Sequence, residues 1–377
     1  MIDSNNKKIK VLQVNKLYVP FIGGVERTVQ DIAEGLKDKV DMKVLACQPK
    51  GRTTKEMING VEVTKASSLG IYWSMPVSLS FPYILAKMSR DVDIIHFHFP
   101  FPLGDFSYLL FGAKGKKVVV TYHCDIVRQK KVMMFYKPFL FKFLKIADRI
   151  LVTSPNILQS SKYLAHFKDK CVVVPLSIPI EEYAKIDQPF DVDVSQGEKI
   201  VLFVGRLSYY KGVEYLIEAM QWVNAKLLIV GDGELREKLE EKTISLGVNG
   251  KVKFHGKVSD EMLKYCYQIC DVFVLPSVEP SEAFGIVQME AMAYGKPVVN
   301  TSLPTGVPFV SVHGETGITV PPRDSIALAK AINKILEDEK LAKTFSQNAI
   351  KRVNEKFSRT RMLEQIYSIY NELMVVS

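Results

Sequence analysis

The feature that most constrains the fold of this 377-residue chain is an alternation that runs its course twice. Short apolar runs of strand length alternate with stretches of helical periodicity. In the first half Lys10–Val14, Met42–Ala46, Ile94–Phe97, Val118–Tyr122 and Ile150–Thr153 read as strands, with Val25–Leu36 and Phe139–Ala147 as helices among them. The second half begins the rhythm again with strand Ile200–Val204, helix Gly212–Val223, strand Leu227–Val230 and helix Leu235–Leu246. It continues with extended Val252–His255, helix Glu261–Cys270, strand Val272–Leu275 and helix Gly285–Tyr294. Runs that are apolar on both faces, linked by helices, predict parallel sheets covered on both sides. The restart predicts two doubly wound, Rossmann-like α/β domains instead of one large sheet, and the length suits two domains.

The join is expected in Pro175–Lys199, which carries Pro175, Pro179, Pro189 and the turn-forming Ser195-Gln196-Gly197 with weak periodicity. The expected division is a first domain over 1–178, a linker over 179–198 and a second domain over 199–358. Beyond Pro322 the pattern is helical to the end. Open α/β sheets bind ligands beyond the carboxyl ends of their strands. Two such domains facing each other across a cleft would therefore carry their functional residues in the loops that follow strands.

Charge is distributed unevenly. Residues 1–190 hold 28 basic and 17 acidic side chains, so the first half carries the positive surplus, whereas the overall charge is +9. Such asymmetry suits nucleic acid, anionic lipid or an acidic ligand. No basic helix with interleaved base-reading residues supports nucleic acid. Apolar content of 47% excludes a disordered chain. Met1–Lys8 has no apolar core behind its charges and is not read as a secretory signal. The uncharged stretch Ala66–Ala86 contains five serines with Pro76 and Pro82, which reads as loop and broken helix instead of a membrane span. The five scattered cysteines read as core thiols of a reducing compartment.

Chemistry concentrates after the strands of the second half. Ile200–Val204 runs into Gly205-Arg206-Leu207-Ser208-Tyr209-Tyr210-Lys211-Gly212, where two cations bracket a helix start. A guanidinium fork and a mobile ammonium suit a diphosphate. After Val272–Leu275, Glu282 precedes a helix and Glu290 lies one to two turns into it. Carboxylates bind vicinal hydroxyls of a ribose or pyranose. The amides of Phe284, Gly285, Ile286 and Val287 at the helix start offer an anion site.

The first half offers Gly23-Gly24 opening a helix after Lys10–Val14, and His123 just beyond Val118–Tyr122. Paired glycines allow close backbone approach, and a histidine there can meet a sugar hydroxyl or a developing charge. The glycines read at least as well as an ordinary turn, and His123, taken alone, reads as a structural loop histidine. His96 and His98 alternate with apolar residues and read as core or rim. Asp91-Val92-Asp93 precedes a strand and Asp191-Val192-Asp193 lies in the linker, so neither reads as a metal site. Gly231-Asp232-Gly233 lacks the third glycine of a dinucleotide fingerprint, so no nicotinamide cofactor is expected.

Taken together, Gly205-Arg206-Leu207 with Lys211-Gly212, Gly231-Asp232-Gly233, the Glu282–Glu290 spacing within Ser281-Glu282-Ala283-Phe284-Gly285, and Gly23-Gly24-Val25-Glu26 resemble glycosyltransferase family 4 over nearly the whole chain. Ala291–Val299 looks like the family's usual continuation. The resemblance implies the GT-B fold and a retaining enzyme that uses a nucleotide-diphosphate sugar, UDP or GDP, with no catalytic metal or other cofactor. It implies that Arg206 and Lys211 grip the donor diphosphate, Glu282 the donor sugar and Glu290 the ribose. His123 would lie near the sugar, Gly23 and Gly24 near the diphosphate, and the backbone around Lys257-Val258 near the base. The last helix, 359–377, would pack back on the first domain. Retention then follows by same-face attack, with a phosphate oxygen taking the acceptor proton, although Glu282 is also a conceivable nucleophile.

The tract Thr301–Pro308 looks like that of bacterial enzymes building O-antigen or other surface polysaccharides with hexose donors such as mannose. A sugar-nucleotide epimerase or hydrolase of the same fold, and a non-catalytic nucleotide- or glycan-binding protein, are the alternatives. The basic excess gathers at Arg128, Lys130, Lys131, Lys137, Lys142 and Lys145, interleaved with Val132, Met133, Met134, Phe135, Phe139, Phe141 and Phe143. This pattern suits anionic lipid. The expectation is a cytoplasmic, peripheral enzyme on the inner membrane face with a glycan or lipid-linked acceptor. The competing reading is a core-facing helix with a solvated basic face.

Overall fold

The computed structural model describes residues 8–21, 23–72, 75–126, 130–183, 185–187, 190, 192 and 197–375, with the side chains of 130–133 excepted. Arg128, the Asp191 and Asp193 carboxylates, the Ser195-Gln196 turn and the side chains of Lys130, Lys131, Val132 and Met133 lie outside the described residues. The chain divides into two compact units, Met1–Pro175 with Thr360–Ser377, and Leu176–Arg359. The stretch read as a linker is thus grouped with the second unit, where the Ile178 amide donates to the Phe357 carbonyl at 3.0 Å.

The first unit is built on an eight-stranded sheet. Its strands are β1 (Lys10–Val14), β2 (Asp41–Cys47), β3 (Thr54–Ile58), β4 (Val61–Ala66), β7 (Ile94–Phe99), β8 (Lys117–Tyr122), β9 (Arg149–Val152) and β10 (Cys171–Val173), with β5 (Ile71–Tyr72) and β6 (Met75–Pro76) forming a separate short pair. The order is β10-β9-β8-β7-β1-β2-β4-β3, and only β3 runs antiparallel to its neighbour. The β3–β4 hairpin was not anticipated. It turns through Asn59 and Gly60 at φ +48° and +83°, and Asn-Gly between two extended runs is its signal. The helices are α1 (Gly24–Leu36), α2 (Phe81–Met88), α3 (Pro102–Phe111), α4 (Lys130–Ile146) and α5 (Pro155–Ser160). The C-terminal helix, Arg359–Val375, buries Met362, Ile366, Ile369, Tyr370 and Leu373 in this unit's core.

Strand register explains where polarity enters that core. Gln13 pairs with His96, and His98 pairs with Thr121. Side chains alternate faces along a strand, so one face reads Val11-Gln13, Ile94-His96-His98 and Val119-Thr121-His123. It is apolar at the amino ends and polar toward the carboxyl ends. The opposite face is apolar throughout, with Leu12, Ile95, Phe97, Phe99, Val120 and Tyr122 in one cluster.

The second unit contains six parallel strands: β11 (Ile200–Val204), β12 (Lys226–Val230), β13 (Val252–Gly256), β14 (Val272–Leu275), β15 (Val298–Thr301) and β16 (Gly317–Val320). Its helices are α6 (Val213–Ala219), α7 (Arg236–Ser245), α8 (Asp260–Ile269), α9 (Ile286–Ala293), α10 (Val307–Val310), α11 (Ser325–Glu337) and α12 (Glu339–Lys356). Side chains of Ser259, Asp324 and Asp338 accept amide hydrogens at the starts of α8, α11 and α12. The order β13-β12-β11-β14-β15-β16 winds outward from β11 in one direction and then from β14 in the other. The loops after β11 and β14 therefore flank the topological switch point, the place where this architecture binds ligands. Every residue of β11 and β14 is buried, which explains their unbroken apolar sequences. No described helix is long and apolar enough to cross a membrane.

Candidate functional site

Lys211 and Glu282 meet at this switch point. Lys211 Nζ lies 2.6 Å from Glu282 Oε2, and both side chains are about nine-tenths buried, at 9% and 10% exposure. The same carboxylate oxygen accepts the Ser277 hydroxyl at 3.0 Å. Burial alone would lower the Lys211 pKa, but the Glu282 carboxylate outweighs it and holds the ammonium above the ordinary lysine range. Glu282 Oε1 has no hydrogen-bond partner among the described residues.

Glycines bring the two loops this close. Gly212 adopts φ +63°, and a Cβ there would lie 2.3 Å from the Pro276 carbonyl oxygen in the loop after β14. Gly231, at φ +125°, would place a Cβ 2.1 Å from the Gly205 carbonyl oxygen. The Leu207 amide donates to the Asp232 carbonyl at 3.0 Å. Gly231-Asp232-Gly233 thus docks the loop after β12 against the loop after β11.

Arg206 is placed differently from Lys211. Its side chain is 71% exposed and pairs with Glu234 at 3.3 Å. Glu290 is buried apart from the Lys211–Glu282 pair, accepting the Tyr267 hydroxyl at 2.7 Å and the Tyr183 hydroxyl at 3.2 Å. Gly285, at φ +77°, precedes α9, and the amides of Phe284, Gly285, Ile286 and Val287 donate to no backbone carbonyl among the described residues. The Phe284 ring is buried in the core against Phe357, so that residue presents only its backbone. Val258 follows β13, half-buried beside the same core. Ser277, Tyr267 and Tyr183 complete this constellation and were not singled out in the sequence, because a serine and two tyrosines within apolar stretches give no spacing signal.

In the first unit Gly23 and Gly24 stand at the start of α1, following β1. A Cβ on Gly23 would meet the Glu26 carboxylate at 2.3 Å. His123 follows β8, buried, and enters a chain of polar groups. His123 Nε2 lies 3.1 Å from His98 Nδ1, and His98 Nε2 lies 2.7 Å from Gln13 Oε1. Gln13 Nε2 reaches the Tyr370 hydroxyl at 2.9 Å, and that hydroxyl lies 2.6 Å from His96 Nδ1. His96 Nε2 lies 2.7 Å from Thr121 Oγ1. Burial pushes the His123 and His96 rings down to about 3 and His98 well below its ordinary value, so all three are neutral. His96 and His98 are core residues, as their alternation implied, but polar ones joined to His123.

The five cysteines are free, and Cys47, Cys266 and Cys270 are buried. Among the described residues no group of three or more His, Cys, Asp or Glu side chains is arranged to hold a metal ion.

Two parallel α/β units, the second with glycine-docked loops at its switch point, define the GT-B fold. The solved structure of HepE from Anabaena in complex with UDP-glucose has this fold, with a TM-score of 0.74 at 21% identity over 97% of this chain and 100% of that one. The chain belongs to glycosyltransferase family 4: the pattern for Glycosyltransferase Family 4 matches residues 22–182, and that for Glycosyl transferases group 1 matches residues 185–352. The O-antigen chain mannosyltransferase C of Escherichia coli is 31% identical over 97% of this chain and 99% of its own length. The D-rhamnosyltransferase WbpZ of Pseudomonas aeruginosa is 31% identical over 93% and 92%.

Proposed function

We propose that this glycosyltransferase is a retaining, metal-independent hexosyltransferase. It moves a mannose-like sugar from a nucleotide-diphosphate donor to a lipid-linked glycan acceptor in surface-polysaccharide synthesis. The observation that carries the reading is the buried Lys211–Glu282 pair at the switch point. Negative charge builds on the leaving diphosphate as the glycosidic bond to the donor breaks. A preorganised ammonium, the Arg206 guanidinium and the free amides before α9 stabilise that charge as it develops. Glu282 spends one oxygen on Lys211 and Ser277 and keeps the other for a sugar hydroxyl. A carboxylate stabilised in this way is a weak nucleophile, which supports same-face attack over double displacement. Glu290, oriented by two tyrosine hydroxyls, has lone pairs left for the ribose diol. Val258 and its neighbours serve the base, UDP or GDP, and Gly23 and Gly24 the diphosphate. His123 is the group of the first unit offered to the transferred sugar.

The names of the mannosyl- and rhamnosyltransferase relatives support a hexose donor and an O-antigen-type acceptor. A peripheral membrane position on the cytoplasmic face is supported by the surface of α2, α3 and α4. Tyr83, Leu110, Phe111, Met134 and Phe135 are exposed there, with Lys137, Lys142 and Lys145 on the same helix as the last two. The aromatic-basic segment divides between the two expectations: Phe143 is in the core and Phe141 is partly buried, whereas Met134 and Phe135 face solvent.

The test is a panel of UDP- and GDP-hexoses with a lipid-linked acceptor, in buffer containing EDTA, with the product linkage read by NMR. Acceptor-dependent transfer with retained configuration is expected, reduced about tenfold or more by Glu282→Gln. Inversion, loss of transfer in EDTA, or donor hydrolysis alone overturns the reading.

A further inference from the structure

We propose that Gln13 sets the tautomer of His123 through His98, with Tyr370 of the C-terminal helix holding the Gln13 amide in place. His123 is thereby presented to the transferred sugar as a hydrogen-bond acceptor. The proposal rests on the reading above, in which His123 faces that sugar.

The chain of protons follows from chemistry. An amide oxygen only accepts, so the His98 nitrogen 2.7 Å from Gln13 Oε1 carries a hydrogen. A neutral imidazole has one N–H, so His98 Nδ1 is bare and accepts from His123 Nε2–H across 3.1 Å. His123 Nδ1 is then bare in its turn, and it has no hydrogen-bond partner among the described residues.

Turning the Gln13 amide over would reverse every bond and leave His123 with a hydrogen on Nδ1. The surroundings of Gln13 decide between the two polarities. In the observed orientation Nε2 donates to the Tyr370 hydroxyl at 2.9 Å, and its second hydrogen has His96 Nδ1 at 3.3 Å, an acceptor it shares with the Tyr370 O–H. Tyr370 donates in turn to His96 Nδ1, and His96 Nε2–H donates to Thr121. In the reversed orientation the one acceptor identified for Nε2 among the described residues is His98, and the second amide hydrogen has none identified. Gln13, His96 and Tyr370 are wholly inaccessible to solvent, so no water can relieve it.

A bare nitrogen accepts from a hydroxyl and repels a carboxylate. His123 is therefore offered to a hydroxyl of the transferred sugar. Gln13 and Tyr370 are positioning residues for this contact.

The test reads the tautomer directly by long-range ¹⁵N–¹H correlation on protein labelled at its six histidine rings, with His123→Gln assigning the signal. The wild type is expected to show His123 with Nε2–H and a bare Nδ1. Gln13→Met and Tyr370→Phe should each shift it to a mixture and lower kcat about tenfold, with KM for the nucleotide sugar changed less than twofold. The tyrosine variant keeps the test open if Gln13→Met does not fold. An Nδ1–H ring in the wild type, an unshifted ring in the folded variants, or a shifted ring with unchanged kcat overturns the proposal. Full transfer by His123→Gln instead overturns the reading on which it rests.

Discussion

Replacing Lys211 by Met is expected to destabilise the second unit far more than replacing both partners of its ion pair. The charges lie 2.6 Å apart with side-chain exposures of 9% and 10%. At an effective dielectric constant near 20 their attraction is about 6 kcal/mol. Much of that offsets the cost of removing both groups from water, so the pair as a whole adds little. Removing Lys211 alone leaves the Glu282 carboxylate buried with only Ser277 beside it, at a cost of about 3–5 kcal/mol. The double variant Lys211→Met/Glu282→Gln has no charge left to solvate and should recover most of that loss. Urea unfolding followed by Trp222 fluorescence, in a Trp73→Phe background, reports on the second unit, since the chain has two tryptophans. With a slope of about 2 kcal/mol per molar, the single variant should unfold about 2 M urea earlier than the parent. The double variant should return to within about 0.5 M of the parent and still lack transfer. A single variant with the parent's midpoint, or a double variant no better than the single, would refute the reasoning.

Asp105 supplies a pH test in the first unit. It is fully buried against the Tyr136 hydroxyl, its second oxygen has no partner, and burial pushes its carboxyl up to about 8. The folded state keeps a proton that the unfolded state has lost, so stability falls as pH rises toward 8. Thermal melts should fall from pH 7 to pH 8 in the wild type and stay level in Asp105→Asn; parallel slopes would dismiss the argument. Below pH 6 the neutral His96, His98 and His123 act with opposite sign, because unfolded histidines take up protons that the folded ones refuse. On the membrane side, Met134→Asp/Phe135→Asp should weaken sedimentation with anionic liposomes at least fivefold while transfer to a soluble acceptor persists, and unchanged sedimentation would remove that surface from the reading.

The second unit was the more legible in sequence. β11 and β14 begin and end as their apolar runs indicate, since strands buried on both faces announce themselves by composition. The glycines there mark contacts between loops, which sequence shows as motifs without showing what they touch. The first unit hid its polar core. Gln13 reads as one polar residue in an apolar strand and Tyr370 as one aromatic in an amphipathic helix. Only the register of β1, β7 and β8, with the C-terminal helix packed on that face, joins them through His98 to His123. Arg206 and Lys211 read as equals flanking a helix start, yet Lys211 is buried and Arg206 is solvated. That difference depends on Glu282, which is brought in by a strand seventy residues later.

The C-terminal helix makes the first unit discontinuous, and this sets a schedule for synthesis. Strands β1, β7 and β8 are made early, with Gln13 and three histidines on a face that α1 shares with the C-terminal helix. The whole second unit is made before Tyr370 exists. Only once Tyr370 has been made can the helix close over that face, align the amide and exclude water from the rings. The order of synthesis thus makes the His123 ring one of the last groups of the first unit to be set, and a chain that stops short of Tyr370 holds no finished first unit.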